Sequence, residues 1–527
     1  MDKDYVDILK LLISENSYIK IKDIFIKINY KESLRNLQKK LNALKKTFRI
    51  STRGQASTTE YILDEIQKHY PSSEFLYVYK NSHILGQLFR VNGTYRFYYD
   101  SEYLSKYSEE IPTIKLSIEP HDFDEIPAVF EDNMPEGINR EIFEISCRTG
   151  DEFELLALMD DNIGDLCFSK SKEKCRIYDS IGSNYLSVLD EILDKHEKIN
   201  VLDGFDIQIE ENELFPENYD LSKLQLTQTH GISGFQYKKL ININFERKTI
   251  TTDNMAHQYI FKPFNQLKAD KDSDYYFPHI ALNEHLHMSF AKNELGFNVP
   301  YSAIVRHNNS SEFHYVVKRF DRYKTYKFAK SSFAAFLGLR SENKYDTTSE
   351  KMFKRIAKEL ISPRERMELL KYYVYSSIIV HEDLHSKNLS LIYDKKKVLL
   401  APLYDICCTG FYDSTKGYES RLSIHGKQKN IRPNDYRGLC SILQVDFKAF
   451  RLEAKKIASI YAEMMPSYYD EIEKLGSTPF YRKKQIKKRG NSDVIFKADD
   501  KPLEFVNVLR NFHKERTAEL QKLGWIE

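Results

Sequence analysis

The sequence predicts an α+β chain folded as several domains, on three observations. At 527 residues and 62.2 kDa it exceeds what one hydrophobic core organises, so two to four units of roughly 100–200 residues are expected. Helical spacing of apolar residues in the first fifty residues gives way to strand-like alternation from Phe75 to about Asp100. It returns at Leu282–Leu295 and Leu503–Leu523. Hydrophobic residues at 41% and charged residues at 30% are ordinary for a globular protein and exclude wholesale disorder and fibrous repeats.

No run of about eighteen apolar residues occurs, so no membrane helix is expected. Met1-Asp2-Lys3-Asp4 carries acids where a secretory signal carries a basic stretch, and a cytoplasmic location is expected. The six cysteines form no C-x-x-C pair and read as small buried apolar residues rather than a zinc site or disulfide frame. Net charge is +2, so affinity for nucleic acid would have to come from local patches.

One such patch lies in residues 1–68. Between Ser17 and Thr59 eleven Lys or Arg face only two acids, Asp23 and Glu32. Three apolar stripes at helical spacing (Tyr5 to Leu12, Ile21 to Ile28, Leu34 to Leu44) predict three short helices. Ser33 is placed to cap the third, whose other face carries Arg35, Asn36, Gln38 and Lys39. Phe48–Ser51 and Glu60–Leu63 alternate as a hairpin around a polar loop containing Arg53. Three helices and a basic hairpin resemble a small winged helix-turn-helix domain. Its third helix would read operator DNA through Ser33, Arg35, Asn36, Gln38 and Lys39, with Arg53 on the wing. The same face also fits a protein-docking module.

Tyr70-Pro71-Ser72-Ser73 reads as a linker into a second unit, residues 72–225. Turns at Lys80-Asn81-Ser82 and Val91-Asn92-Gly93 divide its opening stretch into a meander of strands. Glu141–Ser146 and Phe153–Met159 follow as helices, and the acidic segment Asp190–Pro216 reads as a connection. Residues 226–325 and 326–527 make up the remaining units, the last mainly helical.

The chemistry-bearing residues lie in these last two units. His381-x-Asp383-x-x-x-x-Asn388 has the spacing of a kinase catalytic loop, in which the aspartate accepts a hydroxyl proton and the asparagine binds a metal ion. Two short strands, Leu389–Tyr393 and Val398–Ala401, would return Asp405 beside that loop as a second metal ligand. His385 or Lys387 would steady charge on a transferred phosphoryl group. The alternative is structural: His381, Asp383 and His385 as a buried polar network. Gln258–Lys262 reads as an apolar strand delivering a lysine. Gly231-Ile232-Ser233-Gly234-Phe235-Gln236-Tyr237-Lys238 reads as a Gly/Ser turn whose backbone N–H groups approach phosphate, although it is not a Walker A motif. Glu284, near the start of the predicted helix Leu282–Leu295, would pair with Lys262 or stand as a solvated first-turn acid. Near the C-terminus, Arg482–Arg489 holds six basic residues in eight positions, a solvated loop or a contact for phosphate.

Taken in order, these segments resemble the HipA family of serine/threonine kinases, toxins of bacterial toxin–antitoxin pairs. Met134-Pro135-Glu136-Gly137, Phe153 through Gly164, and Ile232 through Lys238 resemble its N-terminal segments and phosphate loop. Asn283-Glu284, Leu295 through Pro300 and Val317 through Arg322 resemble its middle. Asp383 through Ser390, Pro402 through Asp405 and Ile424 through Lys427 resemble its catalytic and metal-binding elements. The resemblance implies a two-lobed HipA-type protein-kinase-like fold, preceded by a β-rich N-terminal subdomain and the small winged-helix domain. It implies ATP and Mg²⁺ as cofactors, with Gly231, Ile232, Ser233, Gly234, Gln236, Lys238, Lys262 and Glu284 around the nucleotide. Asp383, His385 and Lys387 would then be catalytic, and Asn388 and Asp405 would hold metal. The implied partners are a protein substrate (family relatives modify aminoacyl-tRNA synthetases), operator DNA and a HipB-like antitoxin, with no membrane. Two departures stand out. Gly231 replaces the serine whose autophosphorylation inactivates family members, leaving Ser233 as the candidate acceptor, and the basic amino-terminal module is an addition. That module allows a second role, a DNA-binding regulator that uses the kinase fold to sense nucleotide.

Overall fold

A computed structural model describes residues 3–15, 17–48, 50–55, 58–63, 74–159, 161–172, 184–194, 199–209, 230–231, 237–251, 256–307, 310–395, 397–487 and 494–527. The chain folds as an α+β protein in the expected order.

Helices Lys3–Glu15, Ile21–Lys27 and Leu34–Thr47 come first. A three-stranded antiparallel sheet completes this module, with Glu60–Leu63 between Ile19–Lys20 and Ile50–Arg53. Ser33 caps the third helix, its hydroxyl accepting from Asn36 N at 3.3 Å. The module does not keep a core of its own. Leu9, Leu12 and Leu41 belong to one apolar cluster with Leu76, Leu88 and Tyr103 of the following unit, against which helix Lys3–Glu15 rests.

That unit is a five-stranded antiparallel sheet in the order His121–Phe123, Thr94–Tyr99, His83–Val91, Glu74–Lys80, Leu166–Ser169. Its hairpins turn on Asn81 (φ 51°) and on Asn92-Gly93 (φ 52° and 84°), residues that take left-handed backbone cheaply. Helices Gly137–Cys147 and Glu152–Leu158 fall where the sequence placed them. The acidic connection does not behave as one. Helix Tyr185–Leu193, partly inside it, buries Tyr185, Leu189 and Ile192 against Phe328, Ile392 and Leu399 of the carboxy-terminal half. Gly204 and Gln208 then bridge to Ile304 and Thr249. Residues after 184 therefore pack on the two lobes rather than on the sheet of residues 74–169.

The first lobe is a five-stranded antiparallel sheet, Thr249–Thr251, Lys239–Asn244, Tyr259–Lys262, Phe313–Lys318, Ser302–Arg306, with helix Ile280–Asn293 against it. The second is built on helices Pro363–Ile378, Phe447–Glu473 and Phe505–Leu523. It also carries the three-stranded sheet Ala329–Ser332, Ser390–Asp394, Lys397–Leu400. Both lobes share one apolar cluster that runs from Leu286 to Trp525. The basic C-terminal run begins as a strand, Lys483–Lys487, paired with Val494–Ala498, and Arg482 bonds Asp413 at 3.2 Å. No disulfide forms among the described cysteines, and among the described residues no helix is long and apolar enough to cross a membrane.

Candidate active site

Strand Tyr259–Lys262 ends in the cleft between the lobes, and its register opposite Phe313–Lys318 aims Lys262 inward, 3% exposed. Its Nζ lies 2.7 Å from both carboxylate oxygens of Glu284 and 2.6 Å from Asp405 Oδ1. The expected Lys262–Glu284 pair is present, and Asp405 joins it. Burial alone would lower the Lys262 pKa, but Asp405 and Glu284 outweigh it and raise the ammonium above its ordinary value. Burial opposes ionisation of Asp405, yet Lys238, with Nζ 3.8 Å away, and Lys262 hold its carboxyl well below the usual range. Glu284 shifts the other way: burial raises it despite Lys262. The cluster is a buried network that charged partners on three elements keep satisfied.

Asp405 arrives through backbone the motif demands. It sits at φ 55°, and Val380, just before the catalytic loop, at φ 56°, a conformation a β-branched residue adopts only under surrounding constraint. The constraints are visible. Tyr404 Oη donates to Lys387 O at 2.7 Å, His381 Nδ1 meets Cys407 O at 2.8 Å, and Asn283 brackets Cys408 through its carbonyl and N–H. Asn388 Nδ2 then lies 3.3 Å from Asp405 Oδ2, and Asn388 Oδ1 accepts from His385 N. Asp405 offers hard carboxylate oxygen to a small divalent cation, whereas the Asn388 amide turns its NH₂ group to Asp405 and its oxygen to His385 N, so it would have to rotate to add a second oxygen donor. Among the described residues, no cluster of three or more His, Cys, Asp or Glu forms a self-sufficient metal cage.

Asp383 is exposed at the cleft mouth, where Tyr345 Oη donates to its Oδ1 at 2.6 Å. His381 and His385 are buried as the structural alternative required, while Asp383 is not. Burial drives His385 down to about 4, and its Nδ1 accepts from Lys387 N, so the ring is neutral near pH 7. Lys387 keeps its charge: burial opposes it, but Asp132, Glu136 and Glu131 raise it. Its Nζ is bonded to Glu136 and, at 2.9 Å, to Ser341 Oγ, with Asp132 Oδ1 at 3.6 Å. The sequence did not single these acids out as site residues.

Two further links from the β-rich subdomain reach the cleft. Asn139 clamps the backbone of Lys238 through both amide groups, at 2.8 and 3.0 Å. Asp161, held well below its ordinary range by Arg319, Arg322 and Lys327 against the cost of burial, bonds Arg319 at 3.2 Å and Arg322 at 2.9 Å. No spacing rule connects residues about 160 positions apart. Gly231 pairs in parallel with Asn162, which brings the start of the phosphate loop to this point. Ile232, Ser233, Gly234 and Gln236 lie outside the described residues. The cleft itself holds about 720 Å³, with Ile260, Pro300, Val317, Phe320 and Tyr404 forming an apolar wall opposite the charged cluster.

In the amino-terminal module, Arg35 and Lys39 are exposed, whereas Asn36 bonds Glu32 at 3.0 Å and Gln38 turns inward to Tyr61 Oη at 3.1 Å. Arg53 pairs with Glu60 at 2.6 Å and stacks on Tyr18.

Comparison with known proteins agrees with this architecture. The HipA N-terminal domain family matches residues 76–169 and the HipA-like C-terminal domain family matches residues 230–472. A Haemophilus influenzae protein named "Putative kinase" is 32% identical over 203 residues, which is 36% of this chain and 56% of that protein. "Putative kinase Y4dM" of Sinorhizobium fredii is 34% identical over 94 residues, 18% of this chain and 23% of that one. The chain thus spans about half of the first relative and a quarter of the second. A HipA from Shewanella oneidensis MR-1, solved with HipB and its operator DNA, superposes with a TM-score of 0.55 at 15% identity, covering 85% of this chain and 97% of that one. With both family domains present in order around this cleft, the chain belongs to the HipA-like family.

Proposed function

We propose that this protein is an ATP- and Mg²⁺-dependent serine/threonine protein kinase of the HipA toxin type. The observation that carries the proposal is Lys262 bridging Glu284 and Asp405 in the cleft that also presents Asp383 and Asn388. In this reading ATP lays its base along the Ile260–Val317 wall and its phosphates toward Lys238 and Lys262. Asn388 and Asp405 would hold Mg²⁺, which supplies charge neutralisation at the phosphates. Asp383 accepts the proton of the attacking hydroxyl, and the Tyr345 hydrogen bond fixes the carboxylate that does so. Neutral His385 positions the Lys387 backbone rather than contributing charge.

The substrate of the reading is a cellular protein, for which a translation factor or an aminoacyl-tRNA synthetase is a candidate, met in the cytoplasm. Ser233 is the candidate autophosphorylation site. Operator DNA would be met by Arg35 and Lys39, whose exposure supports contact, and a HipB-like antitoxin is the natural protein partner. Incubation with γ-labelled ATP and Mg²⁺ tests the enzyme. Label should appear on protein and vanish for Asp383→Asn, a loss of about 10²–10⁴-fold, with nucleotide binding retained. Transfer by that variant at the wild-type rate would end the assignment. A second reading, a DNA-binding regulator that only senses nucleotide, draws on the basic module packed onto the β-rich unit. It predicts nucleotide-dependent operator binding with no label transferred.

A further inference from the structure

Beyond the nucleotide pocket, the mouth of the cleft carries a feature the phosphoryl-transfer chemistry does not use. Two loops border Asp383. One bears Lys344 and Tyr345; the other bears Lys416, Tyr418, Arg421 and Lys429. Arg421 lies 5.0 Å from the Tyr345 ring and 5.5 Å from Tyr418, and Lys416 and Lys429 approach Tyr418 at 5.8 and 5.4 Å. Lys344 stands 5.6 Å over Tyr345. One tyrosine thus gathers three cations and the tyrosine bonded to the catalytic carboxylate gathers two.

Both loops are tied to the catalytic loop, so these charges hold fixed positions relative to Asp383. Ser386 Oγ donates to Lys344 O at 2.7 Å, and Tyr418 N donates to Glu382 Oε2 at 3.2 Å. Thr409 Oγ1 donates to Val380 O at 2.8 Å. Of the cleft's other carboxylates, Glu136 pairs with Lys387 and, at 3.8 Å, with Lys344, Glu284 and Asp405 pair with Lys262, Asp321 pairs with Arg319, and Glu382 accepts from the backbone of Tyr418. Asp413 and Glu419, on the same loop, are taken by Arg482 and Arg516. Among the described residues, Lys416, Arg421 and Lys429 make no ion pair, and Lys416 and Arg421 line the cleft.

We infer that this rim is the acceptor-docking site, and that it selects a protein segment whose target hydroxyl is flanked by Asp or Glu. This rests on the kinase reading above and specifies its substrate class. Exposed Lys416 and Lys429 and half-buried Arg421, held on aromatic faces, offer a carboxylate more than one partner without first having to be ordered. A nucleic acid fits less well, because the tyrosine faces on which bases would stack are already covered by guanidinium and ammonium groups.

Fluorescent peptides of equal length carrying one serine, flanked by Glu, Ala or Lys, test the inference on the full chain. Binding is read by anisotropy with ADP and Mg²⁺ present, and transfer with labelled ATP. The Glu peptide should bind at least about tenfold more tightly than the Ala peptide, with the gap narrowing as salt rises. In Lys416→Glu/Arg421→Glu the preference should invert toward the Lys peptide while the KM for ATP stays unchanged. Equal binding of the three peptides, or a preference untouched by the charge reversal, would overturn the docking site even if transfer occurs. Charge-selective binding without transfer would keep the site and remove the kinase reading. Displacement of the Glu peptide by polyadenylate at lower concentration than by polyglutamate would reassign the rim to nucleic acid and overturn the inference.

Discussion

Replacing Lys262 with Met removes a charge while keeping most of the side chain's apolar stem, which makes it a clean probe of the central network. The lysine is 3% exposed and bonded to two carboxylates, so its loss leaves Glu284, itself 5% exposed, without its counter-ion. Asp405 retains Lys238 at 3.8 Å and stays ionised. Breaking a buried pair in this way costs about 3–5 kcal/mol. The cost should depend on pH in a defined sense. Burial already raises the Glu284 pKa in the folded protein, and losing Lys262 raises it further, so the folded variant takes up a proton more readily than the unfolded chain does. Its stability is therefore highest in acid and falls as pH rises through the folded Glu284 pKa, making the deficit larger at pH 8 than near pH 5. Urea midpoints, followed by circular dichroism and by the fluorescence of Trp525, the chain's one tryptophan, measure this. Lys262→Met/Glu284→Gln should recover much of the loss at pH 8. A single variant as stable as wild type at pH 8, or a double variant no better than the single, would refute the reasoning.

Three further outcomes are expected. Glu136→Gln leaves Lys387 facing Asp132 at 3.6 Å, and kcat should fall about tenfold or more while the KM for ATP changes little; steady-state kinetics decide. Lys268, half-buried in the cleft, is lowered by burial and by Lys262 to about 8, so its positive charge fades as pH rises through that value. The affinity for ATP should weaken between pH 7 and 9, and Lys268→Met should flatten the profile, as nucleotide titrations will read. On operator DNA, Arg35→Ala/Lys39→Ala should weaken binding and reduce the slope of log K against log salt by about 0.9 for each phosphate no longer neutralised; an unchanged slope would place DNA elsewhere.

The parts of the site legible in the sequence are those that lie close together along the chain. His381 to Asn388 and the hairpin returning Asp405 came together as the spacing predicts because a short loop and two paired strands fix geometry locally. Lys262 could be placed because strand periodicity decides which side it faces. What escaped were the partners set by tertiary packing. Glu136, Asp132 and Asp161 carry no local mark that distinguishes them from surface acids, and their significance lies in lysines and arginines about 160–250 positions away. Helix Tyr185–Leu193 escaped for a related reason: it is short, amid acidic residues, and its buried face is defined by Phe328 and Ile392. Gln38 fits a recognition helix by residue type, yet the hairpin that follows supplies Tyr61 and draws the amide inward.

These long-range partners alter how the amino-terminal half should be understood. The β-rich unit touches the cleft at three separated points: Glu136 on Lys387, Asn139 on the backbone of Lys238 just before strand Lys239–Asn244, and Asp161 on Arg319 and Arg322. Each contact is buried and charged or hydrogen-bonded through both partners, so none slides freely as an apolar surface would. A buried ion pair is retained at some cost to stability and offers positional specificity in return. Two such ion-paired contacts and the Asn139 clamp tie the β-rich unit to three separate elements of one cleft. The first module shares its apolar cluster with that same unit, Leu37, Leu41 and Leu44 of helix Leu34–Thr47 included. The basic module thus rests on the β-rich unit through packed apolar side chains, and that unit in turn reaches the cleft through Glu136, Asn139 and Asp161.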